Sequence, residues 1–266
     1  IWIVNAYQIA IVVSLLSFSF LGDMFGYRRV YQCGLVVFTF TSLFCALSDS
    51  LHTLTLARIA QGFGGAALMS VNTALIRLIY PQRHLGRGMG INSFIVAVSS
   101  AAGPTIAAAI LSVASWQWLF AINLIPGSIA LLLAWRALPR ESAADRPPFD
   151  APGAVLSAVL LGSALMMADS LQHVTEHINR QAVCWGVLAL VSAFAFTWRI
   201  RRAQHPLLPP VMFRNGRFTL AALTSLASFV SQGITFVTLP FLFQSVYGYS
   251  PVVSALLFTP LPIGIV

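Results

Sequence analysis

Residues 88–135 read GMGINSFIVAVSSAAGPTIAAAILSVASWQWLFAINLIPGSIALLLAW, a run without one Asp, Glu, Lys or Arg. Arg87 stands before it and Arg136 after it. A helix crossing a hydrocarbon core about 30 Å thick takes about 20 apolar residues. The run is therefore two crossings, not one. Ser115-Trp116-Gln117-Trp118 is the natural break, because tryptophans sit well at a membrane–water interface.

The same reading extends in both directions. Candidate spans lie at 1–21, 30–48, 53–79, 88–112, 117–137, 152–170, 182–200, 218–243 and 251–266. Of the 266 residues 58% are hydrophobic and only 8% are charged. Soluble domains carry about 25% charged residues, so lipid is the solvent for most of this surface. Ile1 opens inside an apolar run and Val266 closes inside another. The expectation is a polytopic all-α membrane protein truncated at both ends.

All 15 basic residues are Arg, and the net charge is +8. Thirteen of them fall in the connections after spans one, three, five and seven, and Arg180 alone falls in the opposite ones. Basic residues gather on the cytoplasmic side of membrane proteins, which fixes an orientation with residue 1 outside. No basic stripe interleaves with exposed aromatics, so nucleic acid is excluded as a partner. Cys33, Cys45 and Cys184 lie in apolar runs without CxxC spacing and read as packing residues. No metal site or cofactor is expected. His173 and His177 have i, i+4 spacing but lie in a short outer loop, flanking Thr175 and Glu176. No cluster of His, Ser, Cys or acids lies at membrane depth, which argues against an enzyme.

Three polar features interrupt the spans. The first follows span one: Ser19-Phe-Leu-Gly-Asp23-Met-Phe-Gly26-Tyr-Arg28-Arg29. A tight turn needs a residue tolerant of positive φ, and Gly26 supplies it. The second lies in span three: Leu54-Thr-Leu-Ala-Arg58-Ile-Ala-Gln61-Gly62-Phe-Gly64-Gly65. Arg within a span costs about 2.5–3.5 kcal/mol on insertion scales. Arg58 lies about 8 Å from the outer end, where snorkelling to the interface is the simple alternative. Its face argues for burial: Gln61, Gly62 and Gly65 follow at i+3, i+4 and i+7, so a polar group and two gaps share its side. The third is Ser99-Ser-Ala-Ala-Gly103-Pro104-Thr-Ile-Ala107-Ala108 in span four. Pro104 removes a backbone hydrogen bond, and Ser99, Gly103 and Ala107 form a small-residue stripe suited to close helix approach.

These features resemble the motifs of the major facilitator superfamily. The first is similar to its G-x-L-A-D-R-x-G-R-R loop, matching at Leu21, Asp23, Gly26, Arg28 and Arg29, with Ser19, Gly22 and Met24 departing. The second is similar to L-x-x-x-R-x-x-Q-G, matching at Leu54, Arg58, Gln61 and Gly62. The third is similar to G-x-x-x-G-P-x-x-G-G, matching at Gly103 and Pro104, with Ser99, Ala107 and Ala108 in place of Gly. The first resemblance implies a cytoplasmic gate carried by Asp23, Gly26, Arg28 and Arg29. The second implies proton coupling through Arg58, Gln61 and Gly62. The third marks exporters of the antiporter type. Trp2-Ile-Val-Asn-Ala-Tyr7, Trp116-Gln-Trp118, His205-Pro206 and Tyr249-Ser250-Pro251 also look like segments of drug exporters.

The resemblance implies helices two to ten of a fourteen-helix drug:proton antiporter. Residues 1–137 would then be the N-terminal bundle lacking its first helix, 138–151 a cytoplasmic linker and 152–200 two extra central helices. Residues 201–217 would be a cytoplasmic connection, and 218–266 the start of the C-terminal bundle. Implied is a monomeric carrier of small amphipathic or cationic compounds and protons in a bacterial inner membrane. A solute importer is the alternative. For the substrate cavity the candidates are Tyr7 and Asn92, with Asn5 and Gln8 beside Tyr7. Span eight adds a stripe of Thr224, Ser228, Ser231, Gln232, Thr235 and Thr238. Its hydroxyls have a second use, since they also bond their own backbone. Asp169 reads as an interfacial acid.

Overall fold

The computed structural model describes residues 2–139, 150–171, 180–203, 207, 210–250, 253, 254 and 257. The interior of the linker, the His173–His177 loop, His205-Pro206 and nearly all of the last expected span lie outside the described residues. Helices occupy Trp2–Phe25 (α1), Tyr27–Ala46 (α2), Leu51–Ile79 (α3), Leu85–Val113 (α4), Trp118–Ala121 (α5) and Leu124–Ala137 (α6). Ala151–Leu171 (α7), Arg180–Arg202 (α8) and Gly216–Phe241 (α9) follow. Among the described residues, eight helical stretches are long and apolar enough to cross a membrane, α5 and α6 together forming one of them. The fold is the expected all-α polytopic one.

The helix ends follow local chemistry. Gly26 has φ 96° and forms the one-residue turn between α1 and α2. At the start of α3, Ser50 and Thr53 cap each other: Thr53 N donates to Ser50 Oγ at 3.2 Å, and Ser50 N donates to Thr53 Oγ1 at 3.3 Å. This reciprocal pair satisfies backbone donors that a helix N-terminus leaves open. Asn215 caps α9 through a 3.1 Å bond from Arg217 N.

The expected span 117–137 is not one continuous helix. Pro126 lacks the N–H that would reach the carbonyl of Ile122, so α5 ends at Ala121 and α6 starts at Leu124. Pro126 then sits in the first turn of α6, where its missing donor does no harm. Pro240 lies inside α9, and a wider π-type turn over Leu242–Val246 follows it.

The chain forms two compact units. One comprises residues 1–79 and 120–209, the other residues 80–119 and 210–266. In the first unit, α3 packs against both α1 and α2, α6 against α2, and α7 against α1 and α8. Two sets of glycines on α3 make this possible. A Cβ at Gly62 would lie 2.6 Å from Ala10 Cβ and 2.7 Å from the Tyr7 carbonyl oxygen. A Cβ at Gly64 would lie 2.7 Å from the Phe38 backbone nitrogen. Gly62 therefore faces α1 and Gly64 faces α2, and both approaches are too close for any side chain. A small core of Val30, Ala67, Val71 and Leu75 fills the far end of the same interface.

Arg28, Gln32 and Thr39 lie at i, i+4 and i+11 on α2, on the face that meets α6. Arg28 Nη2 donates to the Trp135 carbonyl at 2.6 Å, and Gln32 Nε2 to the Ala134 carbonyl at 3.1 Å. Both carbonyls belong to the last turn of α6; that of Ala134 also accepts Leu138 N at 3.4 Å, whereas Trp135 faces Pro139, which has no N–H to give. Further along, Gly127 leaves room for Thr39, whose Oγ1 would clash with a Cβ there.

In the second unit, the ring of Tyr80 covers Gly88 at the start of α4. The helix α4 continues without interruption across Gly103 and position 104.

Candidate functional site

Arg58 is half-buried on α3, about 10 Å from the start of that helix at Leu51. Its placement follows from the glycines beside it. Because Gly62 and Gly65 carry no side chain, the backbone of α1 lies directly on α3. A Cβ at Gly65 would lie 3.0 Å from the Tyr7 hydroxyl oxygen. The close approach sets the Tyr7 ring over the guanidinium, 3.9 Å from Cζ to the ring centroid. The Phe120 ring lies 5.6 Å away. A cation over aromatic faces gains about 1–2 kcal/mol when water is kept out.

Gln61 supplies the polar contact. Arg58 Nη1 donates to Gln61 Oε1 at 2.5 Å. Gln61 Nε2 donates to Ser42 Oγ at 2.7 Å, and the Cys45 thiol approaches Gln61 Oε1 at 3.8 Å. Gln61, Ser42 and Cys45 are each less than 2% exposed. Arg58 Nε also points at the Ile3 carbonyl at 3.5 Å, too long for a strong bond. An arginine free to snorkel needs none of these partners. The charge is held in the helix interface, as the i+3, i+4, i+7 pattern predicts.

The residues of that pattern make different contacts. Gly62 touches no charged group; it sets the helix spacing. Tyr7, a candidate for the substrate cavity, covers Arg58. Ser42, Cys45 and Phe120 join the cluster without any signal in the sequence. Thr39, Thr41 and Ser42 are neighbouring hydroxyls on α2, and nothing in their order says which one meets Gln61.

At the α1–α2 turn, Tyr27 Oη donates to Asp23 Oδ1 at 2.5 Å. A Cβ at Gly22 would lie 2.8 Å from the Tyr27 ring and 2.8 Å from Val71. The glycine at 22, where the resembled motif has alanine, is the space that this tyrosine ring occupies. Arg28 docks on α6 as described, and Arg29 is exposed.

Asp169 does more than sit at an interface. Its Oδ1 accepts a 3.2 Å hydrogen bond from Asn5 Nδ2, tying α7 to α1. Near the opposite end of α7, Asp150 caps the helix through Gly153 N at 3.1 Å. Asp150 also accepts both Arg199 Nε at 3.1 Å and Arg199 Nη2 at 3.0 Å.

The remaining site expectations fall in the second unit. Ser99 and Gly103 are exposed, and nothing lies within 4 Å of a Cβ at Gly103. Within its unit the stripe therefore has no helix packed on Gly103. Asn92 is half-buried. Ser228 and Ser231 are exposed, and Gln232 and Thr235 half-buried. Thr224 and Thr235 bond the carbonyls of Leu220 and Ser231, four residues back, at 2.9 and 2.8 Å. At these two positions the hydroxyls take the local backbone use.

A model of the Major Facilitator Superfamily matches residues 1–266. The chain is 60% identical over 265 residues to an uncharacterized transporter, YebQ, of Escherichia coli strain K12, covering 99% of this chain and 58% of that protein. It is 36% identical over 273 residues to a tetracenomycin C resistance and export protein of Streptomyces glaucescens, covering 98% and 48%. It is 31% identical over 263 residues to the multidrug resistance protein Stp of Mycobacterium tuberculosis strain CDC 1551, covering 97% and 48%. The chain thus spans about half the length of the relatives it matches. The family and these relatives are transporters, not enzymes. The eight helical stretches that are long and apolar enough to cross a membrane among the described residues agree with the match along the entire chain: this multi-pass membrane protein belongs to the Major Facilitator Superfamily.

Proposed function

We propose that this chain is part of a proton-coupled exporter of small amphipathic or cationic compounds, working by alternating access in a bacterial inner membrane. The observation that carries the reading is the Arg58 cluster. A permanent cation inside an apolar span is costly. Here it is kept by an amide, a tyrosine face and a helix spacing set by two glycines. Arg does not lose its proton in proteins. Its fixed charge favours the ionised form of an acid brought near it and disfavours a cation. An arginine held in place can therefore release a proton from a carrier acid at one stage of the cycle.

Three features support the rest of the reading. The Gly103-Pro104 segment of α4 favours export, and the resistance and export relatives point the same way. The exposed face at Gly103 suits the moving interface between halves. Asp23 and Arg29, exposed beside the Gly26 turn, suit a cytoplasmic gate, while Arg28 anchors that turn to its own bundle. The packing of α7 on α1 and α8 suits two extra helices inserted between an N-terminal bundle over 1–137 and a C-terminal one from 218.

The test is dye efflux from cells expressing the gene. Ethidium efflux should depend on an imposed inward proton gradient and fall at least about tenfold in Arg58→Ala, a loss of about 1.4 kcal/mol. Efflux indifferent to the gradient, or net uptake of a solute, would defeat the proposal.

A further inference from the structure

Gln61 stands between Arg58 and the interior of α2, and its amide has two unlike ends. The carbonyl accepts hydrogen bonds, whereas the NH2 group only donates. Arg58 is also only a donor. Whether the guanidinium is held or repelled depends on which end of the amide it meets.

Ser42 decides that orientation. Its hydroxyl carries one proton, which it donates to the Phe38 carbonyl at 2.8 Å. Toward Gln61 it is therefore an acceptor, and the Gln61 Nε2 donates to it at 2.7 Å. With the NH2 end committed to Ser42, Oε1 turns to Arg58 at 2.5 Å and to the Cys45 thiol at 3.8 Å. Each group then faces one of the opposite kind. The flipped amide would set NH2 against the guanidinium and a carbonyl against the Ser42 lone pairs. No water-filled space around Ser42 relieves that mismatch, since Ser42 is 0% exposed and Gln61 1%. Buried mismatches of this kind are expensive.

We propose that Ser42 is a positioning residue for Arg58, fixing the Gln61 amide so that its carbonyl holds the guanidinium beneath the Tyr7 ring. The inference rests on the reading of Arg58 as the coupling residue. Removing the Ser42 oxygen leaves the amide without its acceptor, and Arg58 loses its fixed place although no atom of Arg58 or Gln61 has changed.

The test uses the complete transporter in proteoliposomes, with proton-driven efflux measured across a range of pH. Ser42→Ala should shift the midpoint of the pH profile in the same direction as Gln61→Leu, by at least about 0.5 unit, a threefold change in the underlying equilibrium. Ser42→Thr, which keeps the oxygen, should restore the wild-type profile. Ser42→Ala should add nothing in a Gln61→Leu background, because Ser42 acts only through Gln61. A wild-type profile in Ser42→Ala beside a shifted Gln61→Leu overturns the proposal, as does a further shift in the double variant. If Ser42→Ala does not reach the membrane, Ser42→Cys, similar in size with a weaker acceptor, carries the same expectation and the same refutation. A wild-type profile in Arg58→Ala overturns both this proposal and the coupling reading. A shifted Arg58→Ala with unshifted Ser42 variants overturns this one alone.

Discussion

Arg199 places two guanidinium nitrogens, Nε and Nη2, on the single carboxylate oxygen Oδ1 of Asp150, at 3.1 and 3.0 Å. The same oxygen caps α7 through Gly153 N. Asp150 is 5% exposed and Arg199 39%. One buried acid therefore both starts α7 and fastens it to α8. Its loss should remove a cap and half of a partly buried ion pair. Asp150→Ala should destabilise the protein by about 1–3 kcal/mol. Thermal unfolding in detergent checks this, and an unchanged midpoint would refute it. Asp150→Asn should lose less, because an amide oxygen still caps the helix.

Gly62 and Gly103 make opposite predictions, although both belong to motif-like segments. A Cβ at Gly62 meets the Tyr7 carbonyl at 2.7 Å, and backbone cannot turn aside. Gly62→Ala should force α1 away from α3 and cost about 1–3 kcal/mol. A Cβ at Gly103 meets nothing within 4 Å. Gly103→Ala should leave thermal stability within about 0.5 kcal/mol of the parent. Its effect should show in transport alone, if the face is used when the halves move. Equal thermal losses in the two variants would contradict the structure.

The Tyr7 ring, not its hydroxyl, covers the Arg58 guanidinium. Tyr7→Phe should therefore keep stability within about 0.5 kcal/mol, and Tyr7→Ala should lose about 1–2 kcal/mol of cation–π attraction together with the ring's packing. Unfolding midpoints of the two variants provide the comparison. A loss in Tyr7→Phe as large as in Tyr7→Ala would show that the hydroxyl, not the ring, carries the contribution.

Asn5 and Asp169 form the polar tie between α1 and α7. A double-mutant cycle with Asn5→Ala and Asp169→Ala should return a coupling of about 1 kcal/mol. A coupling near zero would mean that apolar packing alone holds α7, including the approach at Gly162, where an added Cβ would lie 3.4 Å from Val13 Cγ2.

Arg28 binds the carbonyl of Trp135 at the end of α6. Arg28→Ala should leave that carbonyl without its partner and lower stability by about 1–2 kcal/mol. Arg29 is exposed, and Arg29→Ala should change stability by less than about 0.5 kcal/mol. The pair separates anchoring from any gating role, since only the first should move the unfolding midpoint.

The crossings were legible in the sequence because a membrane imposes a simple rule. A segment either carries enough apolar residues to span or it does not, and no distant contact changes that. The Gly26 turn was legible for a similarly local reason, as was the half-buried place of Arg58, on a face that the helical period of Gln61, Gly62 and Gly65 marked. Local chemistry also marked the limits of the reading. The break between α5 and α6 follows from Pro126, a backbone effect that hydropathy does not register.

Which residues hold Arg58 was a different kind of question. Ser42, Cys45, Tyr7 and Phe120 come from three other helices, and their arrival depends on how closely those helices pack. The closeness is set by glycines at 62, 64 and 65, whose role is visible only when a neighbouring backbone lies against them. Asp169 looked like an acid at the membrane edge because its partner stands on another helix, at Asn5. The sequence by itself determined the solvent, the crossings and the presence of one held charge, since each is written in a local pattern. The tertiary structure decided which atoms hold that charge and which ends of α7 are tied down, since hydrogen bonds between helices depend on distances of an ångström that no spacing along one chain encodes.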